Sequence, residues 1–340
     1  QMTEPQDGAE LCFPQLLNAS CSRPAASWSA SVCLRFLLSS VSALTVLLNL
    51  LVIVSVLLSP CRQLHTPTNL LLLSLAVSDF LVGLVFIPGE IYRRTSCWLL
   101  GDLMCSLYSY VATVSVAASV GNMVLISADR YVAICDPLLY PGTVTVARTK
   151  FLIFLCWLSS NLYRSLSLKD IGFHKANYVP CRGECVFVVD FVAGVFDVAL
   201  SFVFPVSAIV VLHMRVFVVA VSQARSMRSH VTAVTLQHSV TLTSRRSELK
   251  AARTLGVVVL VFLLCFCPYY TVSLAGVNLI RTSYGIFVLC LFCCNSCVNP
   301  VIYALFYPWF RRAVKLIVTL QILQPGSREA NVLNYRKNHY

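Results

Sequence analysis

A few side chains that can carry charge lie inside or at the ends of long apolar stretches, and these are the positions where chemistry is possible. Asp79 lies in the second stretch, Asp129 and Arg130 end the third, and Asp197 lies in the fifth. Placing such a group in hydrocarbon costs about 2.5–3.5 kcal/mol on insertion scales. A carboxylate can bind an ammonium group or a hard cation, and beside a guanidinium it forms a charge-assisted pair. We therefore expect these residues to have functions.

The composition indicates an integral membrane protein with one domain of several spans. Of 340 residues, 58% are hydrophobic and 12% are charged, whereas soluble proteins carry about 25% charged residues. Seven apolar runs can each cross a hydrocarbon core of about 30 Å. The runs are residues 34–58, 68–91, 105–131, 149–168, 187–220, 254–277 and 283–306. The net charge of +12 does not indicate a nucleic-acid partner, because the basic residues cluster in short loops between the runs.

Lysine and arginine set the orientation of the runs, because cytoplasmic loops carry an excess of both. The basic residues on the predicted inner side are Arg62, Arg148, Lys150, Arg225, Arg228, Arg245, Arg246, Lys250, Arg253, Arg311, Arg312 and Lys315. We predict an all-α bundle with its N-terminus outside, contacting membrane lipids. Residues 1–33 form an extracellular tail with a glycosylation sequon at Asn18, 34–306 the bundle, 307–320 an amphipathic helix on the inner leaflet, and 321–340 a cytoplasmic tail.

Four motifs, in order and correctly spaced, resemble those of the rhodopsin-like G-protein-coupled receptors. They are Asn49 with Asp79, the triplet Asp129-Arg130-Tyr131, Pro268 within Cys265-Phe-Cys-Pro-Tyr-Tyr270, and Asn299-Pro300-Val-Ile-Tyr303. More narrowly, residues 295–310 resemble the fingerprint of the trace amine-associated receptors, and residues 63–69 and 136–140 fit the same family. The resemblance implies a seven-helix receptor of the plasma membrane that activates a heterotrimeric G protein. By resemblance to the family, this is the stimulatory or olfactory G protein.

The resemblance also implies roles for particular residues. Asp79, Asn49, Ser119 and Asn299 would surround an allosteric sodium ion, and no other cofactor is expected. Arg130 would pair with Asp129 and with Glu248 at rest, while Pro268 kinks the sixth run and Tyr131, Pro300 and Tyr303 complete the switch for the G protein. Two disulfides are implied, Cys105–Cys185 and Cys21–Cys181.

The ligand position departs from the family. Most family members carry an aspartate in the third run that binds the ligand ammonium, and the matching residue here is Ala112. Asp197 lies eight residues before Pro205, at the depth of the expected pocket, and some fish members carry an acid there instead. We therefore expect a small, volatile amine with its ammonium group on Asp197 and its tail toward Ala112. The other expected contacts are Phe196, Ser201, Phe266, Tyr269, Tyr270, Leu289 and Cys293, whose aromatic members can face a cation.

Several alternatives stay open on the sequence. Asp197 could be a structural acid bonded to a neighbouring hydroxyl, and Asp190 could be a second ligand contact or a solvated acid. Arg93, Arg94 and Arg164 near the pocket mouth favour a receptor for a non-amine ligand as the next candidate. Cys290, Cys293, Cys294 and Cys297 share one helix face, which fits a soft-metal site or close helix packing. A transporter would need paired repeats, which are not seen, and an enzyme would need a catalytic motif, which is absent from the sequence.

Overall fold

The predicted all-α architecture is confirmed in the computed structural model. The structure describes residues 11–16, 20–22, 28–57, 66–173, 181–185, 191–231, 256–257, 259–272, 274, 283–306 and 308–319. Each of the seven predicted runs contains a described helix, which we call spans one to seven. They are Trp28–Leu57; Pro67–Thr95; Gly101–Cys135; Val146–Phe173; residues 191–231; Val259–Val272; and Ser283–Phe306. Five of these helices are long and apolar enough to cross a bilayer by themselves.

Spans two and five are each interrupted by one widened turn. Span two consists of Pro67–Leu81, a π-helical turn at Val82–Phe86, and Ile87–Thr95. Span five consists of Phe191–Val198, a π-helical turn at Ala199–Val203, and Phe204–Val231. In both, a proline follows two residues after the turn, at Pro88 and Pro205. Because proline has no N–H and clashes with the carbonyl group four residues earlier, the wider turn relieves a conflict that a regular helix would retain.

Two shorter helices lie at the inner end of the bundle. Tyr140–Thr143 lies between spans three and four. Pro308–Val318 follows span seven within the predicted 307–320 segment, and it packs against spans one and seven. Its buried residues are Phe310 and Ala313, whereas Arg311 and Arg312 are exposed. This amphipathic pattern agrees with a helix at the membrane surface, and its position on the inner leaflet stays a prediction.

Three disulfides lie at one end of the bundle, and two of them join the N-terminal tail to the loops there. The predicted bonds Cys21–Cys181 and Cys105–Cys185 are both present. A third bond, Cys12–Cys97, was not predicted. The backbone reinforces them, since the N–H of Cys21 donates to the carbonyl of Arg182 at 2.9 Å. Because disulfides persist in oxidising compartments, this end of the bundle is the extracellular one.

One glycine allows the tail to approach the second extracellular loop this closely. Gly183 has a φ of 105°, a conformation that favours glycine. A Cβ atom at this position would lie 2.6 Å from the Cβ of Cys12. The carbonyl of Gly183 also accepts the backbone N–H of Trp98 at 2.8 Å. Tail, first loop and second loop therefore meet at one residue that only glycine fits.

Replacing Cys12 or Cys97 with serine should lower surface expression to the same extent, because either change opens the same bond. Loss of a native disulfide costs about 2–5 kcal/mol in small secreted domains. Surface labelling of an added N-terminal epitope, divided by total protein, measures the loss. The control is Cys33→Ser, since Cys33 is an exposed free thiol, and it should match wild type. A double variant with additive loss would contradict the bond.

Candidate functional site

The inner end of span three carries a closed ion-pair network. Asp129 is buried, and its Oδ2 accepts the Nε–H of Arg130 at 2.9 Å, so the predicted pairing of these two residues is present. The Tyr140 hydroxyl donates to Asp129 Oδ1 at 2.9 Å, and the Thr68 hydroxyl donates to Oδ2 at 3.0 Å. Burial raises the pKa of the Tyr140 phenol, which keeps it protonated as a donor. The network ties the start of span two and the loop helix to span three.

Thr68 and Tyr140 were missed as members of this network. Both lie in segments whose sequence matched the family, 63–69 and 136–140, so the match was the available signal. Tyr131 is half-buried beside the pair. Glu248, the predicted second partner of Arg130, lies outside the described residues.

A fully buried carboxylate joins three spans in the middle of the bundle. Asp79 Oδ1 accepts the hydroxyls of Ser119 and Ser296, both at 2.9 Å, and Oδ2 accepts the Asn299 amide at 2.8 Å. Two of its predicted neighbours, Ser119 and Asn299, are therefore in direct contact with it. Ser296 was missed, although it adjoins Asn295 in the segment that matched the family.

Asn49 does not contact Asp79 directly, and its place in the predicted ion-binding set stays a prediction. Its amide donates to the carbonyls of Thr45 and Ser296, each at 2.9 Å. The side chain is fully buried, and within the described part of the chain neither its Oδ1 nor Oδ1 of Asn295 has a hydrogen-bond partner. Asn49 therefore belongs to the second layer around Asp79, and Ser296 takes its place in the first.

Aromatic rings from spans five, six and seven form a continuous cluster above this polar core. Phe266 is buried and stacks on Phe262 with ring centroids 4.4 Å apart; the Phe266–Phe292 distance is 4.7 Å. Tyr269 lies 4.4 Å from Phe292, and Tyr270 stacks on Phe202 at 4.2 Å. The predicted residues Phe266, Tyr269 and Tyr270 therefore lie together, all within two residues of Pro268. Phe202, Phe262 and Phe292 were missed and complete the cluster.

The neighbouring residues of the predicted pocket are apolar or weakly polar. Ala112 is 3% exposed, and Leu289 and Cys293 are also buried. None of these three can supply a charge. The position that usually holds the amine-binding aspartate is therefore packed as part of the core.

A buried ion cluster at the outer end of span two was not predicted. Glu90 is 5% exposed and forms ion pairs with Arg93 and Arg94 at 2.9 and 2.8 Å. The Tyr108 hydroxyl also donates to Glu90 Oε1 at 2.9 Å. The side chain of Tyr108 lies against Gly89, where a Cβ would collide with its ring. Two of the three arginines that favoured a non-amine ligand are therefore paired with an internal acid.

Asp197 lies between spans four and five, just before the widened turn of span five. Its Oδ1 accepts the Tyr163 hydroxyl at 2.6 Å. The Ser201 hydroxyl donates to the backbone carbonyl of Asp197, also at 2.6 Å, and the Ser201 side chain lies near Tyr270. Asp197 is half-buried, and Arg164 of span four lies within electrostatic range of it. The bond from Tyr163 is what the alternative of a structural acid predicts, and the amine-binding role of Asp197 stays a prediction.

Phe196 is placed differently from the prediction. It is 63% exposed and belongs to a helical stripe of exposed apolar side chains on span five. The stripe consists of Val192, Val195, Phe196, Leu200 and Val203. In a membrane this face meets lipid, so Phe196 does not line the pocket. Tyr163, which precedes Arg164 on span four, holds the position beside Asp197 instead.

The soft-metal alternative finds no support in the part of the chain that the structure describes. Cys290, Cys293, Cys294 and Cys297 do not bring their sulfur atoms together as a ligand group there. Among the described residues, the side chains close enough to share a metal ion are those of Cys21, Cys181 and Glu184. The two cysteines form a disulfide with each other, so their sulfur atoms are not free thiolate ligands. Asp190 and Asn18 lie outside the described residues.

Comparison with known proteins identifies the family. A profile of the rhodopsin family of seven-transmembrane receptors matches residues 48–303. Trace amine-associated receptor 13c of Danio rerio is 35% identical and covers 96% of this chain and 97% of its own length. Trace amine-associated receptor 1 of Mus musculus is 33% identical, over 90% of this chain and 95% of its own length. The chain belongs to the trace amine-associated receptors. It is therefore a receptor and not an enzyme, a multi-pass protein of the plasma membrane with a small-molecule ligand and a heterotrimeric G protein as partners.

Tyr140→Phe should raise the activity of the receptor without ligand. The change removes one hydrogen bond to Asp129 that stabilises the resting network. Loss of about 1 kcal/mol shifts a two-state equilibrium roughly fivefold. Agonist-independent G-protein dissociation, measured by energy transfer and normalised to surface expression, tests this. Thr143→Ala in the same short helix is the control, since Thr143 is exposed. Equal basal activity in both variants would contradict the role of Tyr140.

Proposed function

We propose that this receptor detects a small amine whose ammonium group pairs with Asp197. The proposal depends on which span supplies the acid. On span three, Ala112 is buried and neutral, whereas on span five Asp197 supplies a carboxylate in the same outer region. The names of the relatives, which refer to trace amines, support an amine as the ligand class. The ligand then lies with its ammonium group toward spans four and five.

Elimination among the carboxylates supports Asp197. Four carboxylates with described side chains are buried or half-buried within the spans: Asp79, Glu90, Asp129 and Asp197. Asp79 lies in the middle of the bundle with three donors, and Asp129 lies at the inner end beside Arg130. Glu90 already binds two arginines. Asp197 is the member of this set in the outer half without a direct ion pair, so a cationic ligand can supply one.

The aromatic cluster favours a cation at this place as well. Tyr270 stacks on Phe202 and lies near Ser201, which is one turn from Asp197. Ring faces near a cation contribute about 0.5–2 kcal/mol. A bound amine would therefore contact spans five and six together. This contact supplies the differential affinity by which a ligand shifts the receptor toward its active state.

For signalling, the proposal is coupling to a stimulatory or olfactory G protein. The support is the family, and the inner network supplies the switch: Arg130 must leave Asp129, Thr68 and Tyr140 before it can contact a partner. Outward movement of span six, which Pro268 makes easier, would open the cavity for the G protein. An olfactory site of expression is part of the same proposal.

Asp197→Asn should abolish the response to amines. Asparagine keeps the hydrogen bond from Tyr163 but has no charge, so the variant isolates the ion pair. Cyclic AMP in transfected cells, measured against a panel of volatile primary and alkylated amines, is the readout. Asp102→Asn is the matched control, because Asp102 is exposed at the start of span three. A full response from Asp197→Asn at normal surface expression would overturn the ligand assignment.

A second arm tests the pose. Ala112→Asp restores an acid in span three and should broaden the amine panel, chiefly toward diamines that can pair with both carboxylates. A variant that reaches the surface and keeps the wild-type panel would show that Ala112 does not face the ligand.

We also propose a sodium ion beside Asp79. The residues present fit such an ion, since the carboxylate, the hydroxyl oxygens of Ser119 and Ser296 and the amide oxygen of Asn299 are hard donors in a buried site. The buried Oδ1 of Asn49, which has no partner among the described residues, leaves unused acceptor capacity in the second layer. The ion would hold spans two, three and seven in the resting arrangement.

Replacing sodium by choline at constant ionic strength should raise agonist potency in wild type. Ser296→Ala removes one first-layer oxygen and should reduce this sodium effect several-fold, and Asp79→Asn should remove it. Concentration–response curves for one agonist in both salts give the measurement. Cys290→Ser on the same span is the control. A sodium effect that persists in Asp79→Asn would contradict the site.

A further inference from the structure

Span four places an arginine near the proposed ligand carboxylate without joining the two in an ion pair. Arg164 and Asp197 lie within electrostatic range of each other. The ion pairs found among the described residues join Arg93 and Arg94 to Glu90, and Arg130 to Asp129. Arg164 and Asp197 are thus near enough to attract each other but too far apart for direct contact.

Arg164 is held in place but incompletely bonded. One of its terminal nitrogens donates to the Ser109 hydroxyl at 2.9 Å, and Ser109 is buried one turn outward from Ala112 on span three. The Nε of Arg164 is buried and has no hydrogen-bond partner among the residues that the structure describes. Buried donors in native proteins are nearly always paired, so an unpaired one indicates that an acceptor from elsewhere belongs there.

Asp197 shows the complementary deficit. The Tyr163 hydroxyl donates to Oδ1 at 2.6 Å, and within the part of the chain that the structure describes no side chain donates to Oδ2. A carboxylate that accepts one hydrogen bond has capacity for more. The site therefore offers a guanidinium whose Nε–H lacks an acceptor and a carboxylate whose Oδ2 lacks a side-chain donor, on adjacent spans.

Building on the proposed role of Asp197 as the ammonium partner, we propose that the ligand is a zwitterion, an amine that also carries a carboxylate. Its ammonium group pairs with Asp197, and its carboxylate accepts from Arg164. A planar guanidinium with several N–H donors matches a carboxylate better than a point charge does. The remainder of the ligand then points toward Phe202 and Tyr270. Amino acids and their close relatives are the chemical class.

Charge balance favours this class over simple monoamines. A monoamine at Asp197 brings its positive charge near Arg164 and leaves the buried Nε unpaired. A zwitterion pairs both groups and enters with no net charge. Specificity of this kind rests on repulsion of the wrong ligand as well as on attraction of the right one.

The test compares ligands that share a carbon skeleton and differ only at the second charge. The probes are α-, β- and γ-amino acids, among them phenylalanine, leucine and 4-aminobutanoate, each with its carboxamide and its decarboxylated amine. They are applied in amino-acid-free buffer to cells expressing the full chain, with G-protein dissociation as the readout. On wild type, the amino acid should be roughly tenfold or more as potent as its amide or amine, which is the effect expected of a charged hydrogen bond.

Arg164→Met should reverse that order. It removes the guanidinium, so amino-acid potency should fall roughly tenfold to a hundredfold while amine potency stays or rises. Arg164→Lys should retain part of the preference, because it keeps the charge without the planar donor set. Arg182→Met is the control, since Arg182 is exposed in the second extracellular loop. If Arg164→Met fails to reach the surface, the comparison of acid with amide on wild type decides alone.

The possible outcomes distinguish failure of the zwitterion proposal from failure of the proposed amine-receptor function. Activation by monoamines with no gain from a carboxylate overturns the zwitterion and leaves the amine receptor intact. A preference for amino acids that survives in Arg164→Met assigns the carboxylate to another group and overturns the role of Arg164. Activation by neither class overturns both proposals. Preference in wild type and its loss in Arg164→Met support the inference.

Discussion

The hydrocarbon of a membrane offers no water to a polar group, so each intramembrane donor or acceptor must find a partner within the protein. Asp79 shows how far this constraint organises the bundle, because its three donors come from spans three and seven. Span one joins through Asn49 and the carbonyl of Ser296. Span four joins through Trp157, whose indole N–H donates to Ser74 of span two at 3.0 Å. Apolar packing is weakly directional in lipid, and these bonds supply the register between helices.

The same constraint explains why function is found where bonding is incomplete or exchangeable. At the inner end, the carboxylate of Asp129 is fully occupied in the resting arrangement, so activation requires an exchange of partners and not merely a new contact. At the outer end, Asp197 and Arg164 each retain unused capacity inside a well-packed bundle. In the proposed function, the first site is a switch with two sets of partners, and the second is a binding site whose partner comes from outside.

Much of this arrangement could be predicted from the sequence, because spans, orientation and motif residues depend on local composition and spacing. The disulfides of Cys105 and Cys21 followed from the family resemblance, whereas Cys12–Cys97 depends on how a tail folds over two loops. Glu90 escaped notice because a charge at the end of an apolar run resembles an ordinary boundary, and only packing shows that it is buried between two arginines. Phe196 was misplaced because lying next to Asp197 in the sequence does not put it on the same face, since neighbouring residues of a helix point about 100° apart.

The widened turn at Ala199–Val203 makes the outer half of span five separately adjustable. A π-helical turn bonds to the fifth residue along the chain instead of the fourth, so it holds one residue more than an α-helical turn. Deleting one residue between Ala199 and Val203 would restore a regular helix there and change which side chains the turn presents. The inner half, with its contacts to span three, would keep its place. Span two has the same construction between Asp79 and Glu90. During evolution, an insertion or deletion of one residue at either turn is therefore a small genetic change. It alters which side chains face the proposed ligand site and leaves the network around Asp129 and Arg130 in place.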